Sequence, residues 1–171
     1  MKKIWQIIVA ALVLYSAWSY GGDFSVSISD DSWDGVTVPE GQQCQKFGGT
    51  PSSPPLSVSE IPEGTNLLII EFSDTSYEPM SNGGHGKLGF ALSSNVSAVE
   101  IAPVAGHTFD LPTGFITVTA HQAPTWDLPG AYLAPCSGGK GNLYRLTVKA
   151  AAVSSDGIEI LAESSVDMGK F

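Results

Sequence analysis

Apolar and polar residues first alternate strictly in Phe24-Ser25-Val26-Ser27-Ile28-Ser29, the period of a strand with one face buried. Leu67 to Phe72 is apolar on both faces except at Glu71 and predicts a central strand. Leu88 to Ser93 and Ile116 to Ala120 return to strand after loops. Further on, Tyr144, Leu146, Val148 and Ala150 face one way, and Leu143, Arg145, Thr147 and Lys149 the other. Ser154-Ser155-Asp156-Gly157 carries the Asp-Gly signal of a hairpin turn, and a last strand is expected from Ile158 to about Val166. No window carries the 3.6-residue apolar period of a helix. The pattern predicts a mostly β fold with long loops.

Between these strands, residues 30 to 65 are rich in Gly, Pro, Ser and Asp, with short extended pieces such as Val36-Thr37-Val38. Pro54-Pro55 gives up two amide donors and predicts an extended, ladder-free approach to the core. Pro62 suits position i+1 of a type I turn, with Gly64 at i+3.

The N-terminus changes the picture of the compartment. Lys2 and Lys3 precede an apolar run from Ile4 to Tyr15, and Ala17-Trp18-Ser19 places small residues at −3 and −1. This predicts a secretory signal peptide over residues 1–19, a flexible lead over 20–23, and one domain over 24–171. Cleavage leaves 152 of the 171 residues and takes the formal charge from −9 to −11, since two lysines leave. The six remaining basic residues are scattered, and Arg145 is the only arginine. Such a surface repels phosphate backbones and anionic headgroups, so nucleic acid and anionic membranes are not expected partners. Cys44 and Cys136 are the only cysteines. In an oxidising compartment an even pair predicts one disulfide, stabilising by about 4 kcal/mol in the chain-entropy model; the alternative is two independent buried thiols.

The di-proline lead, the Ile61-Pro62-Glu63-Gly64-Thr65 turn and the buried strand that follows resemble the phosphatidylethanolamine-binding protein family, in its bacterial Raf-kinase-inhibitor-like branch. Val38-Pro39 before Cys44, Leu111-Pro112-Thr113-Gly114, Tyr132-Leu133-Ala134-Pro135-Cys136, the stretch from Gly139-Lys140 to Tyr144, and Leu161-Ala162-Glu163 are similar to its further motifs, in the same order. The resemblance implies a large antiparallel Greek-key sheet packed on a smaller one. The family's crossover helix near the C-terminus has no room here, because only Ala151 to Asp156 separates the last two strands; a hairpin is expected instead.

The resemblance also implies a small anion-accepting pocket, built in the family from an Asp-Pro-Asp loop, a His-Trp pair, and the Tyr and His of two later motifs. Phe72-Ser73-Asp74 keeps one acid, Asp74. The His-Trp pair falls on Phe90-Ala91, or His85 reaches the pocket from further back. Tyr132 and Pro135 are kept, and the later histidine and arginine become Asn142 and Leu143. The implied ligand set is Asp74, His85, Tyr132, Pro135 and Asn142. Without imidazole and guanidinium donors it loses charge-assisted bonds of roughly 1.5–3 kcal/mol each.

Other constellations are weaker. Gly84 to Gly89 matches Gly-x-Gly-x-x-Gly but neither follows a strand nor opens a helix, so His85 reads either as a solvent-facing loop histidine or as a pocket residue. His107 and His121, with His85 or Asp110, lack the short-spaced ligand pair of a zinc site. No Gly-x-Ser-x-Gly elbow is present. No metal or cofactor is implied. Two functions stay open: a secreted or periplasmic, non-catalytic module binding a small ligand or protein partner, or an interaction protein acting through loops at Trp33 and Trp126.

Overall fold

The computed structural model describes residues 22–93, 95–123, 125 and 127–171. The expected signal peptide and the start of the flexible lead lie outside these residues, as does Trp126. Among the described residues, eight strands form two antiparallel sheets: β1 (Ser25–Ile28), β2 (Leu56–Ser59), β3 (Leu67–Asp74), β4 (Lys87–Ala91), β5 (Ala98–Ile101), β6 (Phe115–Thr119), β7 (Leu143–Ser154) and β8 (Gly157–Lys170). The order is β1-β2-β5 in the small sheet and β6-β4-β3-β7-β8 in the large one. This is the mostly β, two-sheet architecture the sequence predicts.

The core lies between the sheets because the inner rows of both are apolar. Val26, Leu56, Val58 and Ile101 of the small sheet share one buried cluster with Leu68, Ile70, Phe72, Leu146, Val148 and Ala150 of the large one. On the outer face of β3, Glu71 is covered by two cations, with Lys87 Nζ at 2.8 Å and Lys149 Nζ at 3.1 Å. A carboxylate on a central strand is tolerated because it is paired twice.

The last hairpin forms as expected and runs longer, since β8 continues to Lys170. Ser154 faces Gly157 across a two-residue loop, with Gly157 at φ 136°. Two four-residue strands escape the sequence pattern. β2 starts directly after Pro55, whose carbonyl accepts Ser29 N–H at 3.1 Å, and β5 is recruited only by pairing with β2. The Pro62 turn is displaced by one residue: Thr65 N–H donates to Pro62 O at 3.2 Å. Pro62 is therefore position i and Gly64 position i+2, where its φ of 89° suits glycine.

Residues 130 to 135 form a buried, irregular segment, so their backbone groups need partners. Leu133 N–H donates to His85 O at 2.8 Å, Ala131 N–H to Thr108 O at 2.9 Å, and Cys44 N–H to Pro135 O at 2.9 Å. The segment passes so close to Gly86 that a Cβ there would lie 2.1 Å from the Ala131 carbonyl oxygen. Gly86 also has φ +112°. The Cys44–Cys136 disulfide clamps the far end of this segment.

Two predictions follow from this packing. Intact-mass analysis after non-reducing alkylation of the protein folded under oxidising conditions should show no added alkyl group, and uptake without prior reduction would exclude the disulfide. Gly86→Ala should destabilise by about 3 kcal/mol or more, because backbone must move. Gly139→Ala, at φ +78° with nothing nearby, should cost about 1–2 kcal/mol. Urea denaturation of the two variants compares them, and equal losses would contradict the close approach.

Candidate functional site

The inward-facing row of β3 runs Leu68, Ile70, Phe72, Asp74, and its partners on β7 are Ala150, Val148, Leu146 and Tyr144. The rows that build the core thus end on a carboxylate and a phenol placed opposite each other. Asp74 is only 3% exposed. Its Oδ1 accepts Ser76 N–H at 2.9 Å and its Oδ2 accepts Asn142 Nδ2–H at 2.7 Å. Both donors are neutral. Among the described residues no cation is paired with this acid.

Tyr144 Oη accepts the Cys136 N–H at 3.1 Å. Burial pushes its phenol up to about 12, opposed by a bond to Ser137 and reinforced by the negative charge of Asp74. The ring meets His85 edge-on, with centroids 5.3 Å apart. His85 is 3% exposed, which excludes the solvent-facing reading. Its Nδ1 lies 2.9 Å from the Leu133 carbonyl, which can only accept, so Nδ1 carries the proton and Nε2 the lone pair. Burial lowers the imidazole to about 4, outweighing the Leu133 carbonyl and the attraction of Asp74. His85 is therefore neutral at physiological pH.

These side chains floor a cleft of about 660 Å³. Asp74, His85 and Tyr144 are its buried base, with Asn142 beside them, and Lys46, Phe47, Tyr77 and Lys140 are its exposed lining. Cys136, Ser137 and Gly138 form one wall. The two serine hydroxyls are engaged: Ser76 Oγ accepts Leu143 N–H at 2.9 Å, and Ser137 Oγ donates to the Phe171 carbonyl.

Of the five residues the sequence proposes, Asp74, His85 and Asn142 meet in the cleft. Tyr132 is instead in the core, its ring 4.4 Å from that of Phe72, and its hydroxyl has no hydrogen-bond partner among the described residues. Burial raises its pKa well above the usual phenol range. Pro135 is buried and does not line the cleft; its carbonyl fixes Cys44. Sequence reasoning missed Tyr144 as a site residue, although its place opposite Asp74 follows from pairing two alternating strands. It also missed Lys46 and Lys140, which no local pattern connects to Asp74. Trp33 is 7% exposed and belongs to the core.

No protein-family model matches the sequence, and no curated protein matches it either. Solved structures do match. The phosphatidylethanolamine-binding protein homologue CT736 of Chlamydia trachomatis superposes with a TM-score of 0.53 and 21% identity, over 87% of this chain and 97% of that one. Escherichia coli YbcL, a member of the mammalian phosphatidylethanolamine-binding protein family, superposes with a TM-score of 0.55 and 18% identity, over 88% and 98%. Two antiparallel sheets, the order of the motifs and these superpositions agree: the chain has the fold of the phosphatidylethanolamine-binding proteins.

Proposed function

We propose that this chain is a secreted, non-catalytic binding protein whose cleft holds a small molecule carrying both a hydrogen-bond-donating or cationic group and an anionic one. The observation that carries the reading is the uncompensated Asp74 at the base of a cleft lined by Lys46 and Lys140. A buried carboxylate bound only to neutral donors favours an amine or amide over a second anion. Bare phosphate meets Asp74 with no arginine to offset it. Phosphorylethanolamine, the headgroup of the lipid that names the structural neighbours, has both required ends. The engaged hydroxyls of Ser76 and Ser137 support binding rather than nucleophilic chemistry, and the N-terminal pattern together with the disulfide supports export. An interaction module built on Trp33 is less well supported, since Trp33 is buried.

Calorimetric titration of the mature chain tests this reading. Phosphorylethanolamine should bind more tightly than ethanolamine or inorganic phosphate, and phosphate alone more weakly than millimolar. Asp74→Asn should weaken phosphorylethanolamine binding about tenfold or more, and Lys46→Ala or Lys140→Ala by about two- to fivefold at low salt. Tyr132→Phe should change neither binding nor stability adversely, because its hydroxyl is outside the cleft. Sub-millimolar phosphate binding indifferent to Asp74→Asn would refute the proposal.

A pH dependence follows from His85. Its folded pKa of about 4 lies below the unfolded value of 6.5, so the unfolded chain takes up the proton first as pH falls. The contribution is complete above pH 6.5 and is lost between 6.5 and about 4, by about 3 kcal/mol in total. His121, also lowered by burial, acts in the same direction and remains in the variant. Urea denaturation at pH 7 and pH 4 should therefore show a smaller loss in His85→Asn than in the natural chain. Equal losses would mean that His85 is already solvated or charged in the folded state.

A further inference from the structure

Part of the cleft lining rests on one short turn of 3₁₀ helix, Gln45–Phe47, which carries Lys46 and Phe47. Its own bonds run from Phe47 N–H to Cys44 O at 3.0 Å and from Gly48 N–H to Gln45 O at 2.9 Å. The Gln45 and Lys46 N–H groups at its start have no acceptor within the turn. Cys44, the residue before them, makes no side-chain cap, and its sulfur is held in the disulfide. Beyond the turn, the Phe47 ring lies over the facing wall: a Cβ on Gly138 would come 2.7 Å from Phe47 Cζ. The same ring stands 6.1 Å from that of Phe171. The seat of the turn therefore sets both the Phe47 ring and the start of the Lys46 side chain.

Two side chains from distant segments accept these amides. Gln45 N–H donates to His107 Nε2 at 3.2 Å, across 62 residues, and Lys46 N–H to Asp127 Oδ2 at 3.5 Å, across 81. The two acceptors lie side by side, 3.8 Å apart, on side chains 1% and 5% exposed. Leu128 orients both. Its carbonyl lies 3.4 Å from His107 Nδ1, which therefore carries the proton and leaves the lone pair on Nε2. Its N–H donates to Asp127 Oδ1 at 2.8 Å. The backbone at His107 is held at φ +58°, a left-handed conformation unusual for a side chain of this size. Its N–H is anchored to the Tyr132 carbonyl at 3.1 Å. Neither His107 nor Asp127 lines the cleft itself.

We infer that His107 and Asp127 are positioning residues of the cleft: by accepting the Gln45 and Lys46 N–H groups they seat the turn that presents Lys46 to the anionic end of a ligand. For the ligand this rests on the reading of the cleft given above; for the turn it rests on the hydrogen bonds alone. The disulfide fixes Cys44 at one point, and a single point leaves the turn free to pivot; two acceptors on successive amides remove that freedom. The arrangement needs a neutral imidazole. A proton on Nε2 sets a donor against the Gln45 N–H and draws the ring toward Asp127 instead. The titratable groups facing the ring are Asp127 and His121, whose Nε2 lies 3.0 Å from the same Leu128 carbonyl. Protonation of His107 thus unseats the turn and with it the cationic part of the cleft rim.

A double-mutant cycle on the disulfide-bonded mature chain tests this, with phosphorylethanolamine as the probe. His107→Ala should weaken binding about two- to fivefold at low salt, as Lys46→Ala does, and should cost little more when Lys46 is already alanine. His107→Gln, whose Oε1 offers an acceptor near the place of Nε2 and does not titrate, should restore the affinity. Equal losses with and without Lys46, which a merely structural role gives, would overturn the inference. Nuclear Overhauser contacts of the Phe47 ring with Gly138 and Phe171 read the turn without any ligand. They should persist in His107→Gln and be lost in His107→Ala; their survival in His107→Ala would overturn the inference. Failure of phosphorylethanolamine to bind the natural chain would refute the reading of the cleft, and these ring contacts would then decide the inference about the turn. On the natural chain, long-range ¹H–¹⁵N spectra at neutral pH should show His107 protonated at Nδ1, and the Gln45 amide resonance should follow the titration of that ring. A proton on Nε2 at neutral pH would overturn the inference whether or not the variants fold.

Discussion

Antiparallel pairing of β3 with β7 sets Leu68, Ile70, Phe72 and Asp74 opposite Ala150, Val148, Leu146 and Tyr144, and core and cleft both depend on this register. A slip of one residue would turn every side chain of one strand to the other face. Asp74 would then leave the cleft as Glu71 entered the core. The register is protected because the outer row is also specified: Glu71 sits between Lys87 and Lys149, and would be buried without either after a slip. The cost of an unpaired buried carboxylate, several kcal/mol, thus guards the placement of a different carboxylate at the strand's end.

The segment that leads into the cleft wall obeys a different constraint. Residues 130 to 135 are buried without regular structure, and hydrogen bonds to His85, Thr108 and Cys44 replace a sheet ladder. That arrangement requires glycine at 86, where the Ala131 carbonyl comes closest. It also turns His85 inward, with Leu133 both accepting from its ring and donating to its backbone. The same segment therefore buries and neutralises the histidine of the cleft and leads into the disulfide.

Charge is distributed against the average. The chain carries a formal −9, yet two of its few lysines, Lys46 and Lys140, line the cleft above Asp74. The proposed small ligand with charges of both signs suits a general negative field outside and local cations at the cleft.

Several features were legible in the residues alone because they are local or periodic. Alternation in 24–29 and 143–150 announced half-buried strands, that in 116–120 a strand that proves exposed on both faces, the apolar run from Leu67 a central one, and Asp156-Gly157 a hairpin where a crossover helix had no room. The paired cysteines and ordered motifs pointed to the disulfide and to the fold. Asp74, His85 and Asn142 were legible only through resemblance. Tertiary structure decided the rest. β2 and β5 are too short to carry a period and exist because each other's edge satisfies their backbone. Tyr132 and Tyr144 look alike in sequence, but one sits on a segment buried on all sides and the other at the end of a strand row that opens into the cleft. Lys46 and Lys140 reach Asp74's cleft, and His107 reaches Asp127 and the Gln45 amide, across separations that no spacing rule encodes. Strand and turn propensities are properties of neighbouring residues; a site is a property of which distant backbone segments the core brings together.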